Sequence, residues 1–195
     1  MSRSFFDRHP EVFYDFYKTK MIHLNAEPNP AHRFLAWLEA ESKLDAVITQ
    51  NIDGLHQKAG SRKVLELHGS IHRNYCMNCR RFHSLEDIMS MPAPVPICNA
   101  CSGTIKPDVV LYGENLDNSV IENTVQAISE ADLLLIGGTS LTVQPAAHLI
   151  TYFRGNKTVL LNASSTAYDS RADLLITEPI GSVLGEVESL LRARN

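Results

Sequence analysis

Short apolar runs that end in polar clusters dominate the pattern of this chain. Ala46-Val47-Ile48 runs into Thr49-Gln50-Asn51-Ile52-Asp53-Gly54-Leu55-His56, and Lys63-Val64-Leu65 into Glu66-Leu67-His68-Gly69. Apolar runs of this length read as buried strands, here over 46–49 and 63–67. Val109-Val110-Leu111, Leu133-Leu134-Leu135-Ile136, Thr158 to Leu161 and Leu174-Leu175-Ile176 read the same way. Between them lie helical patterns. One follows His9-Pro10 from Glu11 to Lys20, with Phe13, Tyr14, Phe16 and Tyr17 as a broad apolar face. Another is capped at Asn29-Pro30 and runs to about Ala40, with Phe34, Leu35 and Leu38 at helical spacing. Others cover Ser119 to Glu130, a segment opening at Pro145, and about Ser182 to Arg194. Strands alternating with helices predict an α/β fold built on a parallel, helix-covered sheet.

The pattern lapses between His72 and Lys106. This stretch holds all four cysteines and the segment Pro92-Ala93-Pro94-Val95-Pro96, with little periodicity. It reads as a small module, 72–106, inserted into a domain made of 1–71 and 107–195. The cysteines are spaced Cys76-x2-Cys79 and Cys98-x2-Cys101, with eighteen residues between the pairs. Two such knuckles place four thiolates at the corners of a tetrahedron, a zinc-ribbon-like pattern. Four unrelated thiols or a redox CxxC explain the doubled spacing less well. A four-thiolate site leaves no position for water or substrate, so one structural Zn2+ per chain is expected, folding a segment too small to fold alone.

Composition narrows the partners. The chain has 195 residues, 44% hydrophobic and 21% charged, with a net charge of −4 and no basic tract. Nucleic acid and anionic membrane are therefore not expected partners. No apolar run approaches the roughly 20 residues that span a bilayer, and the first residues lack a secretory pattern. A cytoplasmic location is the default expectation, and in a reducing compartment metal accounts for the cysteines better than disulfides. Nothing specifies an oligomer, so a monomer is expected.

In an open α/β sheet the ligand crevice lies just past the carboxyl ends of the strands. Gln50, Asn51, Asp53, His68, Thr139, Ser140 and Asn162 all fall there. Singly each has an ordinary explanation: Asp53 caps a turn, His68 is a satisfied structural histidine, and Gly137-Gly138 is a glycine turn after a strand. Their coincidence at strand ends points to a site for a polar cofactor and a proton transfer.

These residues carry a resemblance. Thr49 to His56, Leu65-Glu66-Leu67-His68-Gly69-Ser70, the cysteine quartet and Ile105-Lys106-Pro107-Asp108-Val109-Val110-Leu111-Tyr112-Gly113-Glu114 resemble the sirtuins, the NAD-dependent protein-lysine deacylases, in their bacterial branch. So do Ile136-Gly137-Gly138-Thr139-Ser140-Leu141, Pro145-Ala146-Ala147 and Leu160-Leu161-Asn162, in the family's order. The resemblance implies a Rossmann-like sheet with helices on both faces. It implies NAD as co-substrate, acetylated lysine-containing proteins as substrates, and nicotinamide and O-acetyl-ADP-ribose as products. It makes His68 the general base toward a ribose hydroxyl, after the acyl oxygen has attacked the anomeric carbon. Gln50 and Asn51 would position that ribose, and Ile52 and Asp53 hold the nicotinamide carboxamide. Gly138, Thr139, Ser140 and Asn162 would take the adenosine half, with Ile180 near the adenine. Val109, Leu111 and Tyr112, with Val143 in the segment 141–144, would bind the substrate backbone as an added strand.

The family also opens with a strand and a Gly-Ala-Gly-rich NAD loop, then a proline-aspartate-phenylalanine-arginine stretch, and this sequence matches neither. The sheet is therefore expected to lack its first strand and to expose backbone groups and apolar surface. That departure keeps a second expectation alive, a catalytically impaired module that binds acetyl-lysine or NAD. A third, ADP-ribosyl transfer or NAD hydrolysis, would use the same His68. The succinyl- and malonyl-preferring branch carries a Tyr-x-x-Arg pair; here Tyr14 fits the tyrosine and Tyr17 stands at the arginine, which implies acetyl over succinyl substrates.

Overall fold

A computed structural model of the chain describes residues 1–92 and 94–194; Ala93 of the proline segment lies outside them. In chain order the elements are α1 (Arg3–Arg8), α2 (Pro10–Phe16), a π-turn (Tyr17–Met21), α3 (Pro30–Ala40), β1 (Val47–Thr49), α4 (Leu55–Ala59), β2 (Val64–Glu66) and β3 (Gly69–Cys76). They continue with β4 (Phe82–His83), α5 (Leu85–Ser90), β5 (Ile105–Val109), α6 (Asn118–Glu130), β6 (Leu133–Gly137), β7 (Lys157–Leu161), β8 (Leu174–Ile176) and α7 (Ile180–Arg192). Two 3-10 turns, Ala146–Tyr152 and Asp169–Arg171, flank β7. The chain divides into two compact units. The first comprises Met1–Ala26, Thr49–Gly54 and Glu66–Asp117; the second comprises Glu27–Ile48, Leu55–Leu65 and Asn118 onward. β1 and β2 pair with each other. No helix among the described residues is long and apolar enough to cross a membrane.

In the first unit, Ser2 caps α1 through the Phe5 N–H and Pro10 opens α2. The aromatic face predicted for this segment is buried: Phe6, Phe13, Tyr14 and Tyr17 pack with Ile71, Leu85, Ile88, Ile105, Val109 and Leu111. Phe6 meets Phe13 edge-on at 4.9 Å, and Phe13 stacks on Tyr17 at 5.7 Å. The helix expected over 11–20 breaks after Phe16. The Ile22 N–H bonds to the Tyr17 carbonyl five residues back, and this wider turn delivers both Tyr17 and Ile22 to the core. Tyr14 donates its hydroxyl to the Ile105 carbonyl. Both phenols of the acyl-preference pair are thus enclosed, and burial pushes both far above the usual tyrosine range.

The strand expected at 109–111 is displaced. Residues 105–109 alternate inward and outward and form the antiparallel sheet β4-β3-β5 rather than a parallel one. Beyond Val109 the chain leaves the ladder, because the Leu111 N–H turns to the Glu114 carboxylate at 2.8 Å. The 72–106 stretch contributes Cys76, Leu85, Ile88, Cys98 and Ile105 to the same apolar core as the N-terminal aromatics.

The second unit carries the parallel order β6-β7-β8, in register from Leu133↔Lys157 to Leu161↔Ile176. Asn29 caps α3 through the His32 N–H, with Pro30 in its first turn. Ala31 and Phe34 of α3, Leu161 of β7 and Leu184 of α7 are buried together, and Arg192 lies 4.8 Å over the Trp37 ring. The run Leu133–Ile136, read from sequence as buried, is buried only at Ile136. β6 is an edge strand among the described residues, and Leu133 is 55% exposed.

Glu114 is the polar hub of the first unit. Its carboxylate accepts from the Leu111 N–H, from Arg3 Nη1 at 3.0 Å and from Lys106 Nζ at 3.1 Å. Burial alone would raise its pKa; the Leu111 N–H, Lys106 and Arg3 outweigh that and hold the carboxyl below the usual range. Its stabilising effect is therefore fully present above the unfolded value, about 4.3, and is lost as pH falls through the lower folded value. Glu114→Gln is expected to cost roughly 1–3 kcal/mol at pH 7. In urea titrations the gap between variant and parent should close as the pH drops below about 4.

Candidate functional site

In the first unit the chain leaves β1 through Thr49, whose hydroxyl accepts from the Asn51 N–H at 3.0 Å. The Thr49 carbonyl accepts from the Leu67 N–H at 2.9 Å, which sets His68 beside Gln50. His68 Nδ1 lies 3.0 Å from the Gln50 carbonyl oxygen. A carbonyl only accepts, so Nδ1 carries a hydrogen, and in the neutral ring Nε2 is the nitrogen with the lone pair. The His68 carbonyl in turn accepts from the Val110 N–H at 3.0 Å. Gly69 follows at φ +75°, so close to β5 that a Cβ there would lie 1.8 Å from the Asp108 carbonyl oxygen. No residue with a Cβ fits this turn, so the main chain around His68 is fixed while the Gln50 carbonyl orients its ring.

Arg73 braces the same region. Its Nε donates to Asp108 at 2.8 Å and its Nη1 to Glu66 at 2.6 Å, tying β5 to the end of β2. Gln50, Asn51, Ile52, Asp53 and His68 are therefore gathered within the first unit, as expected of neighbouring strand ends. Of the proposed substrate residues, Val109 and Leu111 are buried in the core of that unit. Tyr112 has a 72% exposed side chain, while its backbone N–H and C=O bond to Met1 and Arg3.

The second unit holds a cleft of about 580 Å³ whose walls include Gly138, Asn162, Ser164, Glu178, Ile180 and Gly181. Gly138, Asn162 and Ile180 were read from the sequence. Thr139 and Ser140 stand beside the cleft rather than in its lining: Thr139 Oγ1 accepts from the Leu141 N–H, and Ser140 bonds to Thr142. Val143 is on the surface of this unit. Sequence reasoning missed Asn29 and Pro30 at the start of α3 and Pro179, Gly181 and Ser182 around Ile180 at the start of α7. The α7 signal was present in Pro179, which stops β8 from running on and opens the helix. The first-turn N–H groups of a 13-residue helix border the cleft and favour an anionic or polar ligand.

The four cysteines converge. Their Sγ atoms all lie within 4.8 Å of one another, with Cys76–Cys101 at 3.4 Å and Cys79–Cys98 at 3.7 Å. A tetrahedral zinc with Zn–S of about 2.3 Å needs sulfur edges of roughly 3.8 Å, so the donor set fits. The two knuckles repeat one backbone design. Arg80 and Ser102, each four residues past the first cysteine of its pair, are left-handed and donate to the carbonyls of Cys76 and Cys98. The N–H groups of Cys76 and Cys98 donate to the carbonyls of Arg81 and Gly103. The Gly103 backbone, then Cys76, pull the Cys101 thiol down to about 6. At Cys79 the Arg81 backbone acts in the same direction, but Cys101 and the other thiols push it up to about 11.

Comparison with known proteins places the chain in a family. A model of the Sir2 family matches residues 1–145. The NAD-dependent protein deacetylase of Clostridium acetobutylicum is 57% identical over 187 residues, covering 96% of this chain and 76% of that protein. The protein of the same name from Clostridium perfringens is 57% identical over 188 residues, covering 96% and 77%. A solved structure of Sir2 with a p53 peptide and NAD+ superposes with a TM-score of 0.90 at 39% identity, covering 98% of this chain and 82% of that one. A structure of Sir2 bound to acetylated peptide gives 0.89 at 38% identity, covering 98% and 82%. With the strand-end residues, the cysteine quartet and these relatives in agreement, the chain belongs to the Sir2 family.

Proposed function

We propose that this chain is an NAD-dependent protein-lysine deacetylase with His68 as its general base. The observation that carries the reading is the His68 Nδ1–H bond to the Gln50 carbonyl, which makes Nε2 the basic nitrogen of the neutral ring. Curated relatives at this identity are NAD-dependent protein deacetylases, and related Sir2 structures hold NAD+ or acetylated peptide.

The roles follow the residues. His68 Nε2 takes the proton from a ribose hydroxyl, so that the hydroxyl oxygen can attack the carbon derived from the acetyl group. Gln50 and Asn51 orient that ribose. Ile52 and Asp53 hold the carboxamide of the departing nicotinamide. Gly138, Asn162 and Ile180 seat the adenosine half, with Thr139 and Ser140 beside them. Val109, Leu111 and Tyr112 are assigned to the substrate peptide, as is Val143. Cys76, Cys79, Cys98 and Cys101 would hold one Zn2+, which supplies cross-linking of two knuckles and takes no part in proton transfer.

His68→Ala should lower peptide-dependent nicotinamide release by roughly 100-fold or more while leaving the melting temperature near the parent's. A variant that keeps full activity would remove His68 from the chemistry. Elemental analysis of the purified chain should find one zinc per protein. Cys98→Ser or a strong chelator should abolish that zinc and lower the melting temperature; a folded, fully active protein without metal would contradict the assignment.

A further inference from the structure

The β3–β5 ladder is interrupted in a way the proton-transfer chemistry does not require. Ser70 pairs with Asp108 and Asn74 with Pro107, so the backbone ladder to β5 skips Ile71, His72 and Arg73. The bulge turns two of these residues toward the loop that follows β1. The Ile71 N–H donates to the Ile52 carbonyl at 3.0 Å. His72 Nε2–H donates to the Asp53 carbonyl at 3.1 Å. Gly54 sits under the ring at φ +71°, where a Cβ would come within 2.7 Å of His72 Cδ2 and Nε2. The ring and the turn are therefore fitted to each other.

His72 is also held from behind. Its own N–H donates to the buried Ser70 hydroxyl at 3.2 Å. Yet His72 is solvent-exposed and is absent from both apolar cores. A side chain so placed contributes little to global packing and much to the geometry of one turn.

We propose that His72 is a positioning residue for nicotinamide recognition. It fixes the Ile52–Gly54 turn through the Asp53 carbonyl, and so sets the Ile52 and Asp53 groups assigned to the carboxamide. The inference rests on the deacetylase reading above. Its consequence is selective: losing the bond weakens binding of NAD and of free nicotinamide, and leaves the acetylated peptide untouched.

The test compares His72→Leu, which keeps bulk and removes the donor, with His72→Gln, which restores an N–H donor. For His72→Leu the KM for NAD and the inhibition constant for nicotinamide should each rise about fivefold, the scale of one lost hydrogen bond. The KM for peptide, kcat and melting temperature should stay within about twofold, or a few degrees, of the parent. His72→Gln should recover most of the loss. Deuterium uptake across 52–56 should quicken in His72→Leu and not in His72→Gln, with 105–109 unchanged. Equal NAD parameters in all three proteins, or a Leu variant that loses melting temperature and peptide affinity together, would overturn the proposal. If the parent chain itself releases no nicotinamide, the deacetylase reading fails for this chain. The uptake across 52–56 then still decides whether His72 holds the turn.

Discussion

The approach of Gly69 to the Asp108 carbonyl is the constraint on which the first unit turns. It lets β3 start directly after His68 and lie against β5 with no side chain between them. One backbone bond depends on that closeness, Val110 N–H to the His68 carbonyl; on the other side Leu67 N–H continues the β1–β2 pairing to the Thr49 carbonyl. Once the main chain on both sides of His68 is fixed, the ring meets the Gln50 carbonyl and its tautomer follows. Arg73 secures the same arrangement from the rim by bonding to Glu66 and Asp108. Because Arg73 is partly exposed, these ion pairs contribute more to register than to stability.

The cysteine knuckles solve a different problem. A stretch interrupted by prolines and short of apolar periodicity cannot by itself repay the entropy of ordering. Two matched turns, each closed by a left-handed residue, bring the sulfurs close enough for one ion to bridge them. The stretch also anchors Leu85, Ile88 and Ile105 in the aromatic core around Phe6, Phe13 and Tyr14. Its order therefore has two sources, of which only the sulfur set is local.

Much of this was legible in the sequence because strand ends and knuckles are local signals. The runs before Gln50 and before Gly138 end where the pattern said they should, and His68 follows β2 closely. The cysteine spacing translated directly into converging sulfurs. What escaped depends on tertiary pairing. Val109 lies in an antiparallel ladder because its partner is Gly69, across a bulge that no period-2 count reveals. The π-turn after Phe16 answers to the burial of Tyr17 and Ile22 together. Leu133 looked like a core leucine, yet its exposure is decided by which strands flank β6. Pro179, Gly181 and Ser182 joined Ile180 in the cleft only when α7 packed on α3. The burial of Tyr14 and Tyr17 together likewise comes from the tertiary core.

The central claim is that backbone geometry sets the protonation of one imidazole ring. The most direct measurement is the nitrogen spectrum of His68 in labelled protein near neutral pH, assigned by comparison with His68→Gln. The account predicts a neutral ring protonated at Nδ1, with Nε2 showing the shift of an unprotonated nitrogen. A neutral ring protonated at Nε2 alone would leave Nδ1 with no hydrogen for the Gln50 carbonyl and contradict the account.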